Sequence, residues 1–198
     1  MIVDLLRTRY SARSFTDREI PGEILGAILE AGRLSPSGGN EQPWTFGVIT
    51  DKGLIKDIAG ISYNQSWVEA APLLIVLCTK VVEDKRGARE IQKRRFPKWS
   101  QAIESMDKEL YSCLNLEEHQ TKIAGTHMAI QALEHGVFST WVSYFDAEKL
   151  GSLLKLPELT IPSEILAFGY PEREGNSRPK KELDRLVFYN RYAESDNR

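Results

Sequence analysis

The stretch Ser35-Pro36-Ser37-Gly38-Gly39-Asn40-Glu41-Gln42-Pro43-Trp44 decides how the rest of the sequence is interpreted. It follows a helix-like pattern over residues 20–34 and precedes a strand-like pattern over residues 44–49. Pro36 ends the helix, and the two glycines allow a ligand to approach the backbone closely. Three side chains in the stretch both donate and accept hydrogen bonds: Ser37, Asn40 and Gln42. An ordinary helix-to-strand loop and a ligand-binding loop both remain open.

Length and composition exclude several classes of function. The 198 residues suit one domain, and a net charge of −2 gives no reason to expect nucleic acid or a membrane as partner. No apolar run is long enough to cross a membrane, and the charged residues near the N-terminus exclude a signal peptide. Cys78 and Cys113 are too few for a disulfide framework, so we expect buried, reduced thiols and a cytoplasmic location.

Apolar spacing predicts alternating helices and strands, hence an α/β or α+β domain with a layered mixed sheet. Strand patterns cover residues 44–49, 73–78, 137–142, 163–170 and 186–192. Helical patterns cover residues 3–9, 20–34, 54–59, 103–114, 123–133 and 147–154, with four apolar residues of one helix predicted in the core: Ile103, Met106, Leu110 and Leu114. The last strand lies far from any hairpin partner, so it can pair with the sheet of a second chain.

The sequence lacks the common catalytic motifs. Neither phosphate-cradling glycine loop is present, no Gly-x-Ser-x-Gly occurs, and no cysteine lies beside a plausible base. His119, His127 and His135 are spaced by eight residues and give no i, i+4 pair, so we interpret them as surface or helix-terminal residues. We therefore predict no metal site and no catalytic side chain of the protein's own.

Two basic clusters remain as candidate anion sites. Arg9, Ser11 and Arg13 face the same way if their segment is extended, and two guanidinium groups with a hydroxyl suit a phosphate. Arg178 and Lys180 form a second cluster near the other end of the chain. For both clusters, an ordinary solvated surface remains the alternative.

Residues 85–98 are strongly basic, with seven lysines and arginines and Glu90 as the single acid. A phosphate- or nucleic-acid-binding patch is one interpretation. A solvated helix face is the favoured one, because Glu83 and Asp84 flank the stretch and the whole chain is acidic.

Three motifs, taken in order, resemble the nitroreductase family of flavin enzymes. Residues 9–15 resemble its Arg-x-Ser-x-Arg-x-Phe start, and residues 36–44 resemble its Pro-Ser-x-x-Asn-x-Gln-Pro-Trp loop. Residues 169–171, followed by residues 178–180, are similar to its C-terminal pattern. The resemblance implies one FMN-binding α+β domain over residues 1–198, with a mixed, mostly antiparallel sheet between helical layers. It also implies a homodimer with FMN at the interface, in which residues 183–198 reach across and exchange a strand.

The resemblance also implies a set of cofactor-binding residues. The residues implied to bind the phosphate and the ribityl chain are Arg9, Ser11, Arg13 and Arg178, with Tyr10 beside them. Those reaching the flavin of the other subunit are Pro36, Ser37, Gly38 and Asn40. Those near the isoalloxazine ring are Asn64, Ser143 and Tyr144, where a backbone N–H can face N5. Gly38 stands where a second serine is common, which removes one hydroxyl.

The activity implied is electron transfer from NAD(P)H through FMN to an electron-poor small molecule, a nitroaromatic or a quinone, in two steps. Arg13 is the candidate for stabilising the reduced ring. Four aromatic residues are candidates for lining the acceptor pocket: Tyr63, Trp67, Phe96 and Trp99. The alternatives are a non-redox FMN-binding or flavin-delivery protein, a flavin-dependent dehalogenase of the same fold, and an interaction protein that uses residues 85–98.

Overall fold

The computed structural model describes residues 1–63, 65–81, 88–114 and 117–192. The helices are α1 (Ile2–Thr8), α2 (Gly22–Arg33), α3 (Lys52–Ile61), α4 (Ser66–Glu69), α5 (Ala88–Arg95), α6 (Ser100–Glu104), α7 (Lys108–Leu114), α8 (Glu118–Glu134) and α9 (Ala147–Leu153). The strands are β1 (Trp44–Ile49), β2 (Leu73–Lys80), β3 (Phe138–Val142) and β4 (Thr160–Gly169). Short 3₁₀ turns cover Gly38–Asn40, Pro97–Trp99 and Leu183–Arg185.

The four strands form one sheet in the order β1-β2-β4-β3, and every pair is antiparallel. β2 lies in the middle, which explains its uninterrupted apolar sequence from Leu73 to Cys78. The predicted α+β class, with a largely antiparallel sheet flanked by helices, is confirmed. Residues 186–192 form no strand within this chain, and their pairing with a second chain stays a prediction.

Helices cover both faces of the sheet. α2 and α8 pack on one face, where the buried residues include Ile28, Met128, Ile75, Leu77 and Leu166. α3, α4 and α9 pack on the other face, where the buried residues include Ile58, Val68, Leu150, Val76 and Ile165. Alternation of side chains along β2 and β4 supplies both cores from the same strands.

α8 approaches the sheet closely because its inner face carries small residues. A Cβ atom added at Gly125 would lie 2.4 Å from Cδ1 of Leu77 and 2.9 Å from the Trp141 ring. The helix ends before Gly136, whose φ of +67° is the left-handed conformation expected of a terminating glycine. The Asp146 carboxylate accepts a hydrogen bond from the Lys149 N–H at 3.0 Å and so caps the start of α9.

Two predictions about burial are wrong. Leu110 and Leu114 are 53% and 50% exposed, because residues 105–107 separate α6 from α7 and the single continuous helix that the spacing predicts does not form. Cys113 is also exposed, whereas Cys78 is buried as expected. Burial raises the pKa of the Cys78 thiol to about 12.

Candidate functional site

The two ends of the described chain meet beside β3 and β4. The Thr140 hydroxyl donates a hydrogen bond to the Ala12 carbonyl, which fixes the predicted extended segment against β3. Phe15 pairs with Pro171 in an isolated antiparallel bridge, and the Thr16 N–H donates to the Tyr170 carbonyl at 2.8 Å. The N-terminal motif therefore lies alongside the segment that follows β4.

Tyr10 holds the C-terminal segment in place. Its ring lies 4.6 Å from the Phe138 ring, and its hydroxyl donates to the Arg173 carbonyl at 3.1 Å. A Cβ atom added at Gly175 would lie 2.3 Å from the Tyr10 ring, so only glycine lets this backbone pass so close. This contact positions the loop that carries Arg178.

The two segments enclose a cleft of about 500 Å³, called here the basic cleft. It is lined by Arg9, Tyr10, Ser11, Ala12, Arg13, Ser14, Pro171, Arg173, Glu174, Gly175, Asn176, Arg178 and Lys180. The structure thus brings together the predicted phosphate-binding residues from both ends of the chain, although they are separated by more than 160 positions. Their role as ligand groups stays a prediction.

The basic cleft carries an excess of positive charge. Within the described residues, the guanidinium groups of Arg9 and Arg178 make no hydrogen bond or ion pair with the protein, and that of Arg13 lies over the Trp67 ring, 5.6 Å from its centre. Glu174 lines the cleft, and the Glu172 carboxylate accepts a hydrogen bond from the Ser14 hydroxyl. Free guanidinium groups outnumber the acids, so the cleft is suited to an anion.

The loop of residues 36–40 lies elsewhere in the chain, against α8. The Gly38 N–H donates to Oε1 of Gln120 at 2.7 Å, and the Ser37 hydroxyl accepts from the Gln42 N–H at 2.9 Å. Pro36, Gly38 and Asn40 are exposed. None of the four predicted residues of this loop lines the basic cleft of the same chain.

His127 corrects the prediction about the histidines. It lies in the middle of α8, half-buried, and its Nδ1 is 2.7 Å from the Ser35 hydroxyl. It therefore ties the start of the 36–40 loop to α8, a role that its spacing from the other histidines did not indicate. Among the described residues, no group of His, Cys, Asp or Glu side chains is arranged to hold a metal ion.

Ser143 and Tyr144 form a turn directly after β3, called here the β3 turn. The Ser143 hydroxyl lies 2.7 and 2.9 Å from the two carboxylate oxygens of Glu164. The Tyr144 ring is exposed and stacks on the Tyr63 ring at 4.2 Å. Neither residue of the turn lines the basic cleft, and Asn64, predicted near them, lies outside the described residues.

The connector before β2 links the basic cleft to the β3 turn. Trp67 lies under the Arg13 guanidinium, and Gln65 donates from Nε2 to the Tyr144 carbonyl at 2.9 Å. Gln65 and Glu164 were missed by sequence reasoning. They belong to no motif, and their partners on the turn lie 79 and 21 positions away.

Phe96 and Trp99 lie apart from this region on an exposed segment after α5. Arg95 and Lys98 lie over their rings, at 5.6 and 5.7 Å. The first part of the basic stretch, residues 85–87, lies outside the described residues. No helix in the part of the chain that the structure describes is long and apolar enough to cross a membrane.

Known proteins resemble the chain over most of its length. Residues 6–170 match the model of the Nitroreductase family. An oxygen-insensitive NADPH nitroreductase of Helicobacter acinonychis is 31% identical over 199 residues, covering 92% of this chain and 93% of that protein. An FMN reductase (NAD(P)H) of Bacillus subtilis is 22% identical over 195 residues, covering 98% of this chain and 76% of that protein.

A solved structure shows the same fold. The NADPH:FMN oxidoreductase from Vibrio harveyi, complexed with NAD+, superposes with a TM-score of 0.77 over 98% of this chain and 79% of that chain, at 21% identity. The family model matches 165 of 198 residues, since it runs from residue 6 to residue 170. The chain therefore belongs to the nitroreductase family and is an oxidoreductase.

Proposed function

We propose that this protein is an FMN-dependent oxidoreductase that takes electrons from NAD(P)H and passes them, in two steps, to an electron-poor small molecule such as a nitroaromatic or a quinone. The names of its relatives, an NADPH nitroreductase and an FMN reductase, support the reductant and the cofactor. The observation that carries the proposal is the basic cleft, in which guanidinium groups from both ends of the chain converge without protein partners.

The chemistry of the basic cleft fits a flavin mononucleotide. Its volume of about 500 Å³ lies within the usual range for small-molecule sites. Arg9 and Arg178 offer charge-assisted N–H donors for a phosphate, and Ser11 offers a hydroxyl for the phosphate or the ribityl chain. Trp67, whose ring lies beside Arg13, is two residues from Gln65, which donates a hydrogen bond to the β3 turn.

When bound, FMN supplies the hydride and electron chemistry, and the protein supplies binding, orientation and electrostatics. Arg9 and Arg178 would fix the phosphate end. Arg13 would stabilise negative charge that develops on the ring during reduction. The β3 turn would lie at the edge of the ring, where its backbone N–H groups can donate hydrogen bonds. Because the cofactor would supply the redox chemistry, the site needs no acid–base pair from the protein.

The acceptor would enter beside the β3 turn. Tyr63 remains a candidate for contacting a planar acceptor, because its exposed ring already stacks on Tyr144. No described contact joins Phe96 or Trp99 to this turn within one chain, and their place in the acceptor pocket stays a prediction. The free thiols of Cys78 and Cys113 support the further proposal that the enzyme works in the cytoplasm.

We propose in addition that the active unit is a homodimer. The 36–40 loop is exposed and lies outside the basic cleft of its own chain, so a second chain would use it to complete the site. Residues 183–192 expose an unusual series of large apolar side chains: Leu183, Leu186, Val187, Phe188, Tyr189 and Tyr192. Such a patch is typical of a surface that another chain covers. Light scattering of the purified protein measures the state directly.

The experiment that tests the function is the visible spectrum of the purified protein after incubation with FMN and removal of free flavin. We expect a bound flavin spectrum that NADH or NADPH bleaches under anaerobic conditions, and that a quinone restores. A colourless protein would refute the proposed cofactor. A yellow protein that neither nucleotide bleaches would favour flavin binding without redox activity.

A further inference from the structure

A β-bulge brings two polar residues of β4 to the side of the sheet that faces α8. Leu77 pairs with Glu164 and Cys78 with Pro162, which leaves Ser163 as the extra residue. Bulges redirect side chains and often occur beside active sites. The Ser163 hydroxyl lies 2.5 Å from that of Thr79, which itself donates to Thr121 of α8.

Glu164 is a buried carboxylate with a complete set of partners. Its side chain is 5% exposed, and it lies 3.0 Å from the Lys122 ammonium group. The Ser143 hydroxyl lies within hydrogen-bond distance of both carboxylate oxygens. A charge this deeply buried is tolerated only when it is paired and hydrogen-bonded, so both contacts are expected to persist in solution.

Lys122 bridges this buried carboxylate to the surface. Its ammonium group also contacts Glu118 at 2.7 Å. Burial alone would lower the pKa of Lys122, but hydrogen bonds to Glu118 and Glu164 outweigh burial and raise it. Glu164 thus keeps a charged partner at neutral pH.

The β3 turn is held from two sides, while its own backbone donors remain available. Glu164 holds the Ser143 hydroxyl, and Gln65 donates to the Tyr144 carbonyl at 2.9 Å and to the Ser62 carbonyl at 3.0 Å. Within the described residues, the backbone N–H groups of Ser143, Tyr144 and Phe145 donate no hydrogen bond to the protein. A turn that is held at one hydroxyl and one carbonyl and that has free N–H groups is suited to hydrogen-bonding a ligand.

We propose that Glu164 is a positioning residue: through Ser143 it fixes the β3 turn, so that the backbone N–H groups of the turn meet the edge of the FMN ring. This inference rests on the proposed function. Glu164 contacts neither the basic cleft nor the exposed ring of Tyr144, so it acts on the ring end of the cofactor and not on the phosphate end.

The test is Glu164→Gln, which keeps the shape of the side chain and removes its charge. We expect the rate of flavin bleaching at saturating NADPH to fall by about tenfold or more, because errors of about 1 Å in position cost up to about a hundredfold. The dissociation constant of FMN should change by less than about threefold, since the phosphate contacts are untouched. In flavin-free protein, hydrogen exchange of residues 141–146 should accelerate.

Two further variants separate positioning from general destabilisation. Glu118→Gln removes the other carboxylate that contacts Lys122 and has no contact with Ser143, so it should bleach and exchange like the wild type. Ser143→Ala should reproduce the slow bleaching, and the double variant with Glu164→Gln should be no slower than either single variant, because both remove the same contact.

The outcomes distinguish this inference from the proposed function. If wild-type protein binds no FMN, both fail together. If wild-type protein binds FMN and bleaches, but Glu164→Gln matches it in bleaching rate and in exchange of residues 141–146, only the positioning role of Glu164 is refuted. Should Glu164→Gln fail to fold, Ser143→Ala decides: wild-type bleaching by that variant would refute the role.

Discussion

The molecule contains two basic regions that are similar in sequence and opposite in structure. The basic cleft gathers arginines from residues 9–13 and 173–178, and their guanidinium groups have few protein partners. The helical region after residue 88 carries Arg89 and Lys93, and both are committed to internal contacts. The proposed ligand site therefore differs from the helical region not in its charge but in the lack of protein partners for that charge.

The contacts of Arg89 show what a committed cation does. Its guanidinium group donates to the carbonyls of Ile103 and Met106, at 3.1 and 2.8 Å, and lies 4.2 Å from the Tyr111 ring. It thereby joins α5 to the end of α6 and to α7. Lys93 similarly contacts Glu90 and Glu104. These cations hold helices together and leave little charge for an external anion.

The largest effect is expected for Arg178→Ala, which tests whether the basic cleft binds FMN. We predict that the dissociation constant of FMN rises by about ten- to a hundredfold, because a hydrogen bond to a charged group contributes about 1.5–3 kcal/mol. Stability to urea should be unchanged, since the described protein offers Arg178 no partner. Arg94→Ala, which removes an exposed arginine outside the cleft, is the matched control. Unchanged affinity for Arg178→Ala would refute the phosphate contact.

For Arg89→Met we expect lower stability with unchanged FMN affinity. This change leaves the carbonyls of Ile103 and Met106 without their donor, so the free energy of unfolding should fall by about 1–3 kcal/mol, as measured in urea. FMN affinity should remain that of the wild type. Arg94→Met removes an exposed arginine of the same helix and should change neither quantity. A loss of FMN affinity with Arg89→Met would contradict the proposed difference between the basic cleft and the helical region.

The smallest effect is expected for Lys93→Met, which should remove part of the pH dependence of stability. The hydrogen bond from Lys93 lowers the pKa of Glu104, so the ion pair adds stability above pH 4.5 and loses it as pH falls through the lowered pKa. Hydrogen bonds to Glu104 and Glu90 raise the pKa of Lys93, so its contribution is complete below pH 10.5. The difference in urea midpoint between variant and wild type should be constant near neutrality and should shrink below pH 4.5. A difference that persists unchanged in strong acid would contradict the pairing.

The sequence predicted much of the architecture because local patterns specify it. The alternation of Trp44, Phe46 and Val48 with their neighbours marked β1, and the continuous apolar run from Leu73 to Cys78 marked β2. Arg9, Ser11 and Arg13 all line the basic cleft, from a segment that Thr140 ties to β3, but their common role toward a phosphate stays a prediction.

The sequence could not predict contacts that depend on the folded chain. Nothing local shows that Glu164 meets Ser143, since a bulge redirects β4 at that point. The need for glycine at position 175 becomes visible only in the folded chain, where the Tyr10 ring lies against it. Likewise, the apolar spacing that predicted burial of Leu114 failed because the helix breaks before it. Each of these features depends on contacts between segments that are far apart in the sequence, and residue spacing does not reveal such contacts.

If the basic cleft holds the phosphate of FMN, a flavin without that phosphate should bind more weakly, and the ratio of the dissociation constants of riboflavin and FMN for the same flavin-free protein measures this difference. The two ligands share the ring and differ at the phosphate. With Arg9 and Arg178 proposed to bind that phosphate, we predict that riboflavin binds at least about a hundredfold more weakly, and that added salt reduces the ratio. Equal affinities for the two flavins would contradict the account.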